Sequence, residues 1–363
     1  MKKTFVLFLS MIAILGASAQ TVPGSGLVKA PLAGEATKLT GAGATFPAVL
    51  YSKWFSEYAK LTKVEINYQS IGSGGGIKSI SDMTVDFGAT DGPMTDDQIK
   101  AAKGGPILHV PAAMGGVVPT YNLPELAGKA NLKFTADTLA GIFNGDITKW
   151  NDPQLVADNP ELAAIDKYIA VVHRSDGSGT TNIWTSYLSA VNEKWAKETG
   201  AANAVKWPVG LGGKGNEGVA GNVKQTPYTL GYVELAYAKQ NKLAVGLVKN
   251  SSGAFIVANE DSVSQAAAGV TLPDDMRIKL VNSANPKAFP IAGFTWLLAY
   301  QNQADAAKAT AVTRVLWWAT HDGQSFNAGL DYAPLPADAI KKAEVLIKSI
   351  TTGGKPALPA SIK

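Results

Sequence analysis

The sequence predicts an α/β protein with a mixed or parallel sheet, and three observations carry that reading. Short apolar runs with strand character alternate with segments of helical period along the chain. The length, 363 residues, is enough for two domains with a core each. The 37 glycines gather at joins between elements, where tight turns or close backbone approaches are needed. With 46% hydrophobic and 17% charged residues the chain is globular rather than disordered.

The elements follow in order. In "LTGAGATFPAVLYSKWFSEYAK" a strand over 39–43 leads to a helix with Pro47 in its first turn and Leu50, Trp54 and Tyr58 on its apolar stripe. "VEINYQS" alternates as a strand does, and "IGSGGGIKSISDM" reads as a glycine-rich turn entering a helix. "VDFGATDGPM" is a short strand ending in a turn at Asp91-Gly92-Pro93. "AAMGGVVPTYN" is strand-like and "TADTLAGIFNGDITKWND" helical. In "YIAVVHRSDGSGTTNIWTSYLSAVNEKWAKE" a strand over 169–172 and a polar loop over 173–180 precede one helical stripe, Ile183 to Trp195. "TLGYVELAYAKQN" and "FPIAGFTWLLAY" are further strands or strand–helix joins, and two helical stretches close the chain.

The start of the chain is of another kind. Lys2 and Lys3 precede an apolar run over 5–16, and Ala17-Ser18-Ala19 supplies the small residues of a processing site. Residues 1–19 are expected to be a signal peptide cleaved after Ala19, and 20–38 a flexible lead-in. The absence of cysteine excludes disulfides, thiolate metal sites and a lipid-modified cysteine. Without Lys2 and Lys3 the balance is 31 basic against 29 acidic residues, which argues against nucleic acid or a membrane surface as the main partner. Anion binding, if present, is local.

Three segments share one design, in which a strand passes through a Gly, Ser or Thr turn into a helix. They are Gly43-Ala44-Thr45-Phe46, Gly72 to Gly76, and Asp176-Gly177-Ser178-Gly179-Thr180. A helix N-terminus exposes unpaired N–H groups and attracts anions, and small residues let a ligand reach them. Singly, each segment is an ordinary cap and turn. Together with the donor fork of Arg174 they point to an oxyanion binder.

Other motifs are weaker. "GLGGKG" (Gly210, Gly212, Gly215), with Glu234 downstream, matches a dinucleotide fingerprint, but Trp207-Pro208 is a poor end for a central strand. His109, His173 and His321 lack metal-ligand spacing. A Ser178–His173–Asp91 hydrolase triad lacks a nucleophile elbow. No catalytic residue, metal or cofactor is expected.

The stretches "TGAGATFPA", "VDFGATDGP", "RSDGSGTT", "VKWPVGLGGKGNEGVAG" and "GYVELAYAKQN" closely resemble the phosphate-binding family of type II periplasmic solute-binding proteins, which serve phosphate-specific ABC transporters. The resemblance runs from about Leu39 to near the C-terminus. It implies two α/β lobes joined by crossing strands, with mixed sheets flanked by helices and ligand in the interlobe cleft. We place the outward crossing near Gly115-Gly116 and the return at 291–295, so that lobe 1 is 39–115 plus 296–363 and lobe 2 is 116–295. The resemblance further implies phosphate contacts from Thr45, Phe46, Ser73 and Asp91 in one lobe and from Arg174, Ser178, Gly179 and Thr180 in the other. Gly74, Gly92 and His173 depart from the usual family pattern in ways that touch loop stiffness and local charge. The implied protein is a periplasmic monomer without a direct membrane anchor, which binds inorganic phosphate and delivers it to an inner-membrane ABC permease. A sulfate or molybdate receptor, or an exported phosphohydrolase, are the alternatives.

The two acids then take separate roles. Phosphate near neutral pH keeps at least one proton and sulfate keeps none, while an ionised carboxylate only accepts. Asp91 is therefore expected to accept from phosphate and to repel sulfate. Asp176, two residues beyond Arg174, is expected to hold the guanidinium in place, with helix capping as the rival reading.

Overall fold

The computed structural model describes residues 22–129 and 131–362. The expected signal peptide and its cleavage site lie outside these residues. Nine strands form the main sheet: β1 Lys38–Gly43, β2 Glu65–Ser70, β3 Phe87–Thr90, β4 Ile107–Tyr121, β5 Ala170–Arg174, β6 Leu211–Gly213, β7 Thr229–Glu234, β8 Ala244–Val245 and β9 Ala292–Tyr300. The order is β2-β1-β3-β9-β4-β7-β5-β6, with β8 also paired to β4. Pairing is parallel among β1, β2 and β3 and among β5, β6 and β7. It is antiparallel where β9 meets β3 and β4, and where β4 meets β7.

This mixed sheet has a half at each end and long strands through its middle. β4 spans 15 residues and is almost wholly buried. Up to Gly116 it pairs with β9; from Val117 it pairs with β7. A single strand thus serves both halves, and its continuous apolar run reflects burial on both faces. The β4–β9 register shifts between Thr295 and Trp296, opposite Ala113 and Pro111. Pro111 has no N–H for a ladder bond, and a bulge is where a central strand tolerates that. β2, at the sheet edge, keeps the alternating exposure that its sequence predicts.

Helices cover the sheet. α1 (Ala48–Thr62) buries Leu50, Tyr51, Trp54, Phe55 and Tyr58. Pro47 lies just before it, at the N-cap. α2 (Ser73–Ser81) contains Gly74, Gly75 and Gly76 in its first turn, rather than following a glycine turn. The physical reason is close approach: a β-carbon on Gly76 would lie 2.5 Å from Gly43 Cα and 2.6 Å from Ala89 O. The single helix expected through Trp195 is two helices, α3 (Gly179–Val191) and α4 (Glu193–Glu198). Asn192 ends the first and caps the second by accepting from Trp195 N, so the stripe continues while the helix axis breaks.

Further along are α5 (Gly215–Gln225), α6 (Leu235–Gln240), α7 (Ala306–Thr320) and α8 (Ala337–Lys348). The lead-in, expected to be flexible, is tied to α7 from Val22 onwards. Val28 is buried, Arg314 pairs with Glu35 and donates to Ala30 O at 2.6 Å, and Trp317 Nε1 donates to Gly24 O at 3.1 Å. No periodic pattern marks these anchors in the sequence, because most of them are backbone carbonyls and one buried carboxylate. Most tryptophans are core residues, with Trp54, Trp150, Trp184, Trp195 and Trp296 fully buried. Among the described residues no helix is long and apolar enough to cross a membrane.

Candidate functional site

The parallel strands of both halves end toward one seam. After β1 come Thr45 and Phe46, after β2 comes Ser73, after β3 Asp91, and after β5 the loop Ser175 to Ser178 leading into α3. Ligands of open α/β sheets bind at such carboxyl ends, where helix N-termini and loops converge. Thr45, Phe46, Ser73, Asp91, Arg174, Ser178 and Thr180 are all buried at this seam.

Arg174 is held from the side by Asp176. Its Nε donates to Oδ1 at 2.8 Å and its Nη2 to Oδ2 at 2.5 Å, while Nη1 reaches Thr180 Oγ1 at 3.4 Å. Gly215 N, at the start of α5, also donates to Asp176 Oδ1 at 3.0 Å. Burial pushes the Asp176 carboxyl up, but the Arg174 hydrogen bonds and charge, with the Gly215 N–H, outweigh it and hold the group below its ordinary range. Asp176 therefore steadies Arg174 and serves a helix start as well, though that of α5 rather than α3. The bidentate pair leaves Nη1 as the edge of the guanidinium turned toward the seam.

Asp91 is held differently. Thr295 Oγ1 donates to its Oδ1 at 2.9 Å, and Ser73 Oγ lies 3.4 Å from its Oδ2. Ser73 Oγ accepts from Asp91 N at 3.2 Å and, across the seam, from Gly179 N at 3.0 Å. Burial pushes the Asp91 carboxyl up to about 7, against the opposing pull of Thr295, Arg174 and Ser73. The group is thus poised between acceptor and donor near neutral pH.

Asn216, in the first turn of α5, organises the donors. Its Nδ2 donates to Thr45 Oγ1 at 2.8 Å and to Thr180 Oγ1 at 3.0 Å, and its N donates to Thr45 Oγ1 at 3.2 Å. Its Oδ1 accepts from Glu234 N at 2.8 Å. With their lone pairs occupied, the Thr45 and Thr180 hydroxyls keep their protons to give. The carbonyls of Thr45 and Phe46 accept from Tyr237 and Tyr332 at 2.6 and 2.7 Å, which fixes the loop before α1. Sequence reasoning missed Asn216. It lies in the glycine-rich stretch weighed as a dinucleotide motif, whose Gly215 N–H instead serves Asp176.

Glycines let the halves meet. Gly74 N donates to Gly177 O at 2.8 Å across the seam. A β-carbon on Gly74 would lie 3.0 Å from Gly177 Cα, and one on Gly179 would lie 2.6 Å from Asp91. One on Gly92 would lie 2.2 Å from Asn203 Oδ1 and 2.8 Å from Asn182 Cβ. The departures at Gly74 and Gly92 thus fall where the opposite halves touch, Gly74 against backbone and Gly92 against two asparagine side chains. A hydrolytic triad does not assemble. Ser178 Oγ caps α3 by accepting from Thr181 N at 3.0 Å, and His173 stacks on Trp207 with ring centres 4.7 Å apart.

Comparison with known proteins places this geometry in a family. A sequence model described as a PBP superfamily domain matches residues 29–319. The phosphate-binding protein PstS of Haemophilus influenzae is 44% identical over 308 residues, covering 84% of this chain and 91% of that protein. The phosphate-binding protein PstS of Methanocaldococcus jannaschii is 38% identical over 325 residues, covering 82% of each. Among solved structures, a high-affinity periplasmic phosphate-binding protein bound with phosphate, PfluDING, superposes with a TM-score of 0.67 at 22% identity, covering 86% of this chain and 93% of that one. A phosphate-binding protein from Stenotrophomonas maltophilia gives a TM-score of 0.64 at 18% identity, covering 90% and 99%. At these identities the structures show a shared two-lobed fold. The chain belongs to the PBP superfamily and, within it, to the family of PstS phosphate-binding proteins.

Proposed function

We propose that the protein binds inorganic phosphate in the periplasm and delivers it to an inner-membrane phosphate ABC permease, acting as a monomer. One observation carries the reading of the site: donors and a single acceptor from both halves converge on one seam. Arg174 and the hydroxyls of Thr45, Ser73, Ser178 and Thr180 ring the site, with the N–H groups of Phe46 and Gly179. Asp91 is the acceptor. The lobes we assign are 39–115 with 296–363, and 116–295; the change of β4 partner after Gly116 supports that division.

A tetrahedral anion with a proton satisfies every partner of this set, whereas a fully ionised one meets Asp91 lone pair to lone pair. A buried acceptor left unmatched rejects the wrong ligand by roughly 10⁴ or more. No covalent step is needed, since closure over the right anion is a population shift.

The test is calorimetric titration with phosphate, sulfate and molybdate, with a chromogenic phosphate ester as a turnover control. Phosphate is expected to bind, sulfate to be excluded at pH 8, and the ester to remain intact. Because the Asp91 carboxyl sits at about 7, it is neutral and a donor below that pH, and charged and acceptor-only above it. Sulfate exclusion should therefore relax as pH falls from 8 to 6. Asp91→Asn should abolish that pH dependence and weaken phosphate by roughly ten- to hundredfold. Equal binding of both anions at pH 8 would overturn the reading.

A further inference from the structure

We propose that Thr295 is a positioning residue for anion selectivity: from β9, which pairs with β3 and β4, its hydroxyl fixes the Asp91 carboxylate so that Oδ2 faces the ligand as an acceptor. The inference rests on the cleft being a phosphate site and names a residue outside the ring of ligand donors.

Thr295 is fully buried, and its Oγ1 lies 2.9 Å from Asp91 Oδ1. Besides Asp91 it faces Thr90 O at 3.5 Å, longer than an ordinary hydroxyl bond, and the Tyr51 hydroxyl, which has a proton of its own to give, so the one proton of Thr295 goes to Asp91. This pins Oδ1. Oδ2 is left beside Ser73 Oγ and the start of α3, where a β-carbon on Gly179 would lie 2.6 Å from it. The oxygen not held by Thr295 is thus the one at the donor ring.

The backbone explains why a threonine of β9 reaches the acid. The β4–β9 ladder shifts register between Thr295 and Trp296, and Trp296 pairs with Thr90 of β3, next to Asp91. Bulges re-aim side chains at functional sites.

The charged and titratable surroundings leave Thr295 a distinct task. Tyr51 of α1, Tyr68 of β2, Tyr237 of α6, Tyr332, and Glu234 of β7 all feel the Asp91 charge and are all pushed up by burial, which disfavours their charged forms. Arg174 across the seam supplies charge, and Thr295 supplies the shortest hydrogen bond that favours the ionised carboxyl. Without that bond the acid keeps its proton to higher pH. It then donates, and the mismatch against sulfate is lost.

The experiment measures phosphate and sulfate affinity for the wild-type protein, Thr295→Val and Thr295→Ser between pH 6 and 9. Val keeps the shape and removes the hydroxyl. For Thr295→Val the phosphate-to-sulfate ratio at pH 7.5 should fall roughly ten- to hundredfold, and its midpoint should move up by about one pH unit. Thr295→Ser should restore both. An unchanged ratio and midpoint in Thr295→Val would overturn the proposal. So would a ratio lost equally at every pH, which marks general loosening. If Thr295→Val does not fold, Thr295→Ala carries the same comparison. Failure of the wild-type protein to bind phosphate would instead overturn the phosphate reading, before any variant is compared.

Discussion

At the scale of single residues, the pair Arg174 and Asp176 shows how one acid strengthens an anion site. Arg174 is 3% exposed and bound through two nitrogens to one carboxylate, so its position is set before any ligand arrives. Arg174→Ala should weaken phosphate roughly a hundredfold or more, and also leave the half-buried Asp176 carboxylate with the Gly215 N–H but without its charged partner. Asp176→Asn keeps the shape while removing the charge, and should cost about tenfold in affinity with the fold intact. Calorimetry beside a thermal melt separates the two effects, and unchanged affinity in Arg174→Ala would remove that residue from the site. The polar residues at the seam were legible in the sequence because they gather in glycine turns after strands. Asn216 and Thr295 were not. The first looks like part of a nucleotide loop, and the second is one hydroxyl in the apolar run of β9, where threonine is an ordinary strand residue.

At the scale of elements, alternation and helical period located the strands and most helices, because each presents one face or stripe to a core. Period alone did not reveal the break at Asn192, since the apolar stripe runs on across it. Nor could it reveal that the glycines at 74, 92 and 179 are contact points between loops distant in sequence. Gly92 offers the cleanest test, because its backbone lies outside the left-handed region and accepts alanine without strain. The added methyl would meet Asn182 Cβ, which α3 holds rigidly in the opposite half. Gly92→Ala should leave the ligand-free melting temperature near wild type. It should weaken phosphate roughly five- to hundredfold through an overpacked closed form. Wild-type affinity in this variant would mean that the halves need not approach as closely as they do here.

At the scale of the whole molecule, stability and binding draw on different parts of the chain. The lead-in crosses α7 near the C-terminal end of the sequence, and the buried Arg314–Glu35 pair ties the two together. Neither residue touches the donor ring. Breaking a buried pair from one side leaves an uncompensated charge, at a cost of about 3–5 kcal/mol, whereas replacing both partners with apolar groups is often nearly neutral. Arg314→Met should therefore lower the melting temperature by on the order of 5–10 °C. Adding Glu35→Leu should recover most of that loss, and phosphate affinity should stay at the wild-type value throughout. Thermal melts paired with calorimetry on the two variants check this. A loss of affinity in the folded single variant would show that the lead-in reaches the cleft, and failure of the double variant to recover would show that Arg314 matters through its bond to Ala30 O rather than through charge.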